Sequence, residues 1–310
     1  MELNLTPAFF WPTNSTIVRS FKFRLGLAGR RAWYRLLWRL APGKAIESGV
    51  RQLLTPPRHR FPDVELRLME DASLLPVPMI TGRLIGWRWG RARDPVVVLV
   101  HGWGGRGTQL RAFIAPLLAR GLSVVAYDAP GHGMTGGAES SLPHFLRALE
   151  AMLDHLGPVH ALIGHSMGGA AAAMIMSRRA AGVERGVLIA PPASLSDSTR
   201  RIADSLGWTQ ALAAAVQRRI EYHFGLAWSE FEAERSGGSQ ELLVIHDGKD
   251  SEVPIADGLR HARAWPRARL LQTPAWAIAD CLRTRPSSPP RWTSSPERGR
   301  ERAPPLGDAR

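Results

Sequence analysis

The sequence predicts an α/β protein with a mainly parallel sheet and helices on both faces. Three observations carry that reading. Val96-Val97-Val98-Leu99-Val100 is an unbroken apolar, largely β-branched run, as a strand buried on both faces requires. From there to Gln272, short apolar runs alternate with stretches of helical period. Ala161-Leu162-Ile163 leads into Gly164-His165-Ser166-Met167-Gly168-Gly169, and the Ala-rich stretch 170–181 leads out, which reads as strand, sharp turn and helix with a serine at the turn. Small residues two before and two after that serine suit a turn too tight for side chains, and the strain lifts the hydroxyl clear of the sheet.

The chain of 310 residues is long enough to bury a full core in one large domain. Its one cysteine, Cys281, excludes a disulfide framework and a thiolate metal cluster, and the histidines show no metal-ligand spacing, so neither a metal nor another cofactor is expected. Residues 1–20 lack signal-peptide features and no run of about 18 apolar residues occurs, so the expected location is the cytoplasm. The net charge of +13 is unevenly placed. Residues 1–60 hold 11 Lys/Arg and 2 Asp/Glu, residues 274–310 hold 7 and 4, and the body between is nearly balanced. With the basicity at the ends and no nucleic-acid motif, nucleic acid is not an expected partner.

In order, residues 20–55 read as helix, broken at Pro42-Gly43. Trp33, Leu36, Leu37 and Leu40 follow the i, i+3, i+4, i+7 pattern among Arg30, Arg31, Arg35 and Arg39. The expectation is a basic N-terminal segment, 1–60, that packs this apolar face on the body; weak contact with an anionic membrane surface is the alternative. Val64–Met69 alternates apolar and charged, and Ile80–Trp89 does so less cleanly, which predicts two half-exposed antiparallel strands. After the strand at 96–100 come a helix over 108–119, a strand over 124–127, a helix over 142–156 and the serine unit. Then follow a strand over 186–190, helical stretches within 193–234, a strand over 242–245, a helix over 255–264 and a strand over 268–272. Ligands of such sheets sit beyond the carboxyl ends of the strands, which gathers the loops 101–107, 128–137, the Ser166 turn and 246–254, with 193–234 above them as a lid.

These loops carry a resemblance. His101-Gly102-Trp103, Gly164-His165-Ser166-Met167-Gly168 and Asp250-Ser251-Glu252-Val253-Pro254, with Asp128-Ala129-Pro130-Gly131-His132-Gly133 between, resemble in order and spacing the motifs of the α/β-hydrolase family. The resemblance covers about 64–273 and implies the α/β-hydrolase fold over 61–273, with a serine esterase, lipase or thioesterase type of activity. It implies Ser166 as nucleophile, the backbone N–H groups of Met167 and Trp103 as oxyanion hole, and Asp250 as the acid that orients a histidine, with Asp247 as its rival. The implied substrate is a small-molecule acyl ester or thioester. His101, His132 and His165 fall where the family uses histidine to shape loops. His246, beside Asp247, is a weak substitute base.

The departure from the family lies after the last strand. The family places its catalytic histidine there, yet no histidine occurs between Thr273 and Arg310, and from Arg283 onward the chain is mostly Arg, Pro and Ser. A reading-frame shift near Pro274 accounts for both features. In the adjacent frame, back-translated codons force glycine from Trp276-Ala277, permit histidine from Ala277-Ile278, and allow Asp-Pro-x-Val-Val beyond. The other reading is a divergent, disordered tail over 274–310. Either way the printed chain is expected to be impaired as an enzyme, or to be a non-catalytic binding protein that keeps the pocket.

Overall fold

The computed structural model describes residues 18–179 and 182–273, with side chains from residue 26; the expected disordered tail lies outside the described residues. Two helices open the chain, α1 (Val18–Leu40) and α2 (Pro42–Leu54), parted where Pro42, lacking an N–H, starts a new helix. A short helix α3 (Asp63–Glu70) follows. Then come β1 (Ser73–Pro78), β2 (Arg83–Trp89) and β3 (Val96–Val100). A 3₁₀ turn (Gly107–Phe113) runs into α4 (Ile114–Leu118), then β4 (Ser123–Asp128) and α5 (Leu142–Leu156). The serine unit is β5 (Val159–His165) and α6 (Met167–Arg178). The chain continues through β6 (Val183–Ile189), α7 (Leu195–Leu206), α8 (Gln210–Phe224), β7 (Glu241–Asp247), α9 (Ile255–Ala264) and β8 (Ala268–Thr273).

The eight strands form one sheet in the order β1-β2-β4-β3-β5-β6-β7-β8. The pairs β1–β2 and β2–β4 are antiparallel, and the other five pairs are parallel. Alternation on β3 separates two cores. Val96, Val98 and Val100 pack with Phe145, Leu149 and Ala171 on one face, and Val97 and Leu99 with Trp87, Leu110 and Ile114 on the other. Register brings Val100 opposite Gly164 and His165 opposite Ile189, so the strands of the functional loops end level with one another.

Three sequence expectations need correction. Val64–Met69 is the helix α3, not a strand: Glu65 and Met69, four apart, are its buried residues, and six residues are too few to tell a period of 2 from 3.6. The second strand of the hairpin is 83–89, with Ile80 fully exposed in the turn; its partner β1 escaped notice because it carries Pro76 and Pro78, which a sheet accepts only at an edge. The helix expected over 108–119 is a 3₁₀ turn kinked into one short α-turn.

The N-terminal helices pack into the main core. Tyr34 meets Trp208 edge-on at 5.9 Å between ring centres and receives a hydrogen bond from the Gln52 amide. Gly49 of α2 lets α8 approach so closely that a Cβ there would lie 2.5 Å from Val216. The packed face of α1 is Tyr34, Leu37 and Trp38. Trp33, Leu36 and Leu40 point outward instead, 57%, 50% and 75% exposed, against the expectation that they face the body.

The segment 193–234 is helical as predicted: α7, α8 and two 3₁₀ turns, Trp228–Phe231 and Ala233–Arg235. It is bolted to α9. Buried Asp257 accepts from Arg201 at 2.8 Å and from the Ala193 N–H at 3.2 Å. Arg260 bridges Glu232 at 2.7 Å and Glu234 at 2.6 Å, with Asp197 at 3.5 Å. Replacing Arg260 by Ala leaves Glu232 and Glu234 without their cation, while Asp197 keeps Arg200 at 2.6 Å. The expected cost is about 2 kcal/mol, with faster amide hydrogen exchange in α7 than in β5. Unchanged exchange in α7 would show that the bolt is redundant.

Candidate active site

The centre of the site is the turn between β5 and α6. Ser166 sits at φ +49°, ψ −123°, a region that L side chains rarely adopt. What holds it there is the lack of room around it. A Cβ on Gly164 would lie 2.5 Å from the Gly168 carbonyl oxygen, and one on Gly168 would lie 2.3 Å from the His101 oxygen and 2.4 Å from the Val100 oxygen. Both glycines are therefore required, as the spacing Gly164-x-Ser166-x-Gly168 predicts. The Ser166 N–H donates to Ile189 O at 2.9 Å, and Ser166 O opens the helix by accepting from Gly169 N and Ala170 N. Ala190, the other non-glycine residue with positive φ among the described residues, ends β6 beside this turn, and its sequence gave no sign of it.

The loop after β3 touches the turn directly: a Cβ on Gly102 would lie 3.0 Å from Ser166 Cβ. Trp103 follows it. The N–H groups of Trp103 and Met167 have no hydrogen-bond acceptor among the described residues, although the Gly104 and Gly105 N–H groups beside Trp103 are both used. Two unspent donors thus flank the serine, one from this loop and one from the positive end of α6.

Buried histidines fix this loop against the loop after β4. His101 Nε2 accepts from Ala129 N at 3.0 Å, so its Nδ1–H is the donor to Gly102 O at 2.7 Å. His132 Nε2 accepts from Gly104 N at 3.0 Å and its Nδ1–H donates to Pro130 O. Both rings are neutral in this arrangement. Burial, then the mutual repulsion with His132, pushes His101 down to about 3; burial pushes His132 down to about 4. Asp128, also buried, accepts from Gly107 N at 2.7 Å and Met134 N at 2.6 Å; burial raises its pKa against those two donors.

A further support was invisible in sequence. Glu65 of α3, 1% exposed, accepts from Arg106 Nη2 at 2.7 Å, Thr108 Oγ1 at 2.5 Å and Arg111 Nη1 at 2.9 Å. Burial alone would raise its pKa, but the hydrogen bonds from Arg106 and Thr108 and the two guanidinium charges hold it below the usual value. It anchors the end of the loop that carries Trp103. From the N-terminal side, Arg58 donates to Gly137 O at 2.8 Å and Thr135 O at 3.2 Å, and Pro57 packs on Gly104.

Asp250 lies in the loop after β7, where its Oδ1 accepts from Glu252 N at 2.8 Å and Val253 N at 2.9 Å. Burial pushes His165 down to about 4, and the Asp250 charge opposes that shift. Asp247, the rival acid, spends Oδ1 on Lys249 N. His246 is fully buried with Nε2 at 2.8 Å from Val253 O, while Nδ1 faces Gly258 of α9. Both ring nitrogens are turned into the fold, and the Nε2 contact props the Asp250 loop. None of the ten histidines of the chain hydrogen-bonds the Ser166 hydroxyl among the described residues, and those residues contain no cluster fit for a metal. Between the turn and the roof, Leu142, Met167, Ala170, Pro192, Leu195 and Phe231 line a small apolar cleft of about 40 Å³.

Fold and site together define an α/β hydrolase, and comparison with known proteins agrees. The profile of the alpha/beta hydrolase family matches residues 97–306, and the chain belongs to that family. It is 31% identical over 160 residues to the sn-1-specific diacylglycerol lipase ABHD11 of Mus musculus, an alignment covering 51% of this chain and 50% of the lipase. It is 39% identical over 107 residues to the dihydrolipoyllysine-residue acetyltransferase component of the acetoin cleaving system of Pseudomonas putida, covering 32% of this chain and 29% of that protein. The chain thus spans half or less of the length of these relatives. In structure it is similar to the Pyrococcus furiosus esterase Pf2001, with a TM-score of 0.54 and 21% identity over 71% of this chain and 89% of the esterase, a likeness of fold.

The two loop histidines make stability depend on pH. Each has a folded pKa below the unfolded value of 6.5, so the unfolded chain binds more protons as pH falls. Their contribution is complete above about pH 7 and is lost as pH falls from about 6.5, down to about pH 4 for His132 and about pH 3 for His101. Urea denaturation across this range is expected to show that loss, and to show less of it in His132→Asn; an unchanged loss in the variant contradicts the assignment.

Proposed function

We propose that this chain is a serine hydrolase for a carboxylic ester or thioester, working through an acyl-enzyme on Ser166, with its proton-transfer step impaired for want of a histidine. The observation that carries the proposal is the strained Ser166 between two unspent N–H donors. In this reading Ser166 Oγ bonds to the substrate carbonyl carbon while the carbonyl oxygen gains negative charge and is held by the Met167 and Trp103 N–H groups. The tetrahedral intermediate collapses, the alkoxide or thiolate leaves with a proton, and water repeats the attack to release the acid and free Ser166. The apolar cleft beside Met167 takes the acyl group. In this reading Asp250 is the orienting acid, held in the loop after β7 by the Glu252 and Val253 N–H groups.

The missing part is the base that removes the Ser166 proton. Without it, triad enzymes keep only about 10³–10⁴-fold acceleration over water. The absence of a histidine bonded to Ser166 also favours a second reading, a binding protein that holds acyl compounds in the cleft and does not turn them over.

The test is hydrolysis of p-nitrophenyl acetate by the printed chain, by Ser166→Ala, and by a chain whose residues after Pro274 are read in the adjacent frame with histidine restored. The restored chain is expected to gain at least about 10³-fold in Ser166-dependent rate, and added imidazole is expected to raise the rate of the printed chain but not of Ser166→Ala. Equal rates for all three, with imidazole ineffective, would favour the binding protein.

A further inference from the structure

α1 carries a surface that the roof does not use. Trp33, Leu36 and Leu40 fall at i, i+3 and i+7, one continuous stripe, and all three are at least half exposed. The neighbouring flank of the same helix, Tyr34, Leu37 and Trp38, supplies the packing against the body. Large apolar side chains standing in water along one helix face are unfavourable unless something apolar covers them.

The charge beside the stripe narrows what can cover it. Arg31, Arg35 and Arg39 are exposed, and none has a carboxylate partner among the described residues. Residues 18–60 hold eleven Lys/Arg and a single acid, Glu47. A surface that accepts both features must be apolar within and anionic at its edge. A polyanion in water could pair the arginines but would leave Trp33, Leu36 and Leu40 uncovered.

We propose that this face of α1 docks on an anionic lipid bilayer, with Trp33, Leu36 and Leu40 in the headgroup and acyl boundary and Arg35 and Arg39 at the phosphates. No helix among the described residues is long and apolar enough to cross a membrane, so the contact lies in the plane of the interface. α1 packs on α2 and α7, which puts the roof over Ser166 next to the bilayer. The inference stands independently of the hydrolase reading, because docking needs no turnover.

The test is co-sedimentation of the full chain with phosphatidylcholine vesicles, with and without phosphatidylglycerol. The chain is expected to bind the anionic vesicles at least about tenfold more tightly, and less tightly at high salt. Trp33→Ser/Leu36→Ser/Leu40→Ser is expected to lose at least about tenfold in vesicle binding while keeping its retention on heparin. Arg35→Glu/Arg39→Glu is expected to lose both. The substituted side chains are exposed, so both variants should keep the wild-type circular dichroism spectrum and Tm. Three results would overturn the proposal. One is no binding of the wild-type chain to anionic vesicles. Another is binding by the triple serine variant equal to wild type, which would leave only a polyanion site. The third is a wild-type dimer in sedimentation velocity that the triple variant dissolves, which would make the occupant a second copy.

Discussion

The contact on which this molecule depends is the one between Gly168 and the carbonyl oxygens of Val100 and His101, where the first turn of α6 lies against the end of β3 with no side chain between. That approach sets the angle of the Ser166 turn. It also brings the loop bearing Trp103 against the serine, where a Cβ on Gly102 would lie 3.0 Å from Ser166 Cβ. The remaining supports secure the same loop: His101 and His132 from below, Glu65 from α3, and Pro57 from the N-terminal arm. Three segments outside it hold a loop of seven residues, which is the degree of fixation that preorganised donors require.

The parts of this arrangement that could be read from sequence are those that depend on a residue's own backbone neighbourhood. Gly164, Ser166 and Gly168 announce the turn because local sterics dictate them, and α5 appears at the predicted residues because its apolar period runs for more than ten residues. The illegible parts depend on partners far along the chain. Nothing near Glu65 shows that three residues 41 to 46 positions away will share its carboxylate. Nothing near Arg260 shows that it will bolt the roof through Glu232 and Glu234. Short elements failed for another reason: six residues at 64–69 fit both periods, and two prolines disguised the edge strand β1. On α1 the apolar pattern was real but was assigned to the wrong face, because Tyr34 and Trp38, amphipathic and easily discounted, took the packed side.

The sheet, the turn at Ser166, the loop bearing Asp250 and the helical segment 193–234 are assembled, and His101, His132 and His246 each spend ring nitrogens on holding a loop. His246 illustrates the point: its position beside Asp247 suggested chemistry, yet its ring stabilises the loop that presents Asp250.

The central claim is that Ser166 stands ready between its donors without an imidazole to deprotonate it. It is tested most directly by the pH dependence of Ser166-dependent p-nitrophenyl acetate hydrolysis by the printed chain, measured against Ser166→Ala. The account predicts a low rate that climbs about tenfold per pH unit, as hydroxide supplies the missing base, with no plateau between pH 6 and 8. A fast Ser166-dependent rate that levels off with a midpoint near the ordinary imidazole pKa of about 6.5 would contradict it, since it would show a histidine at work on the serine.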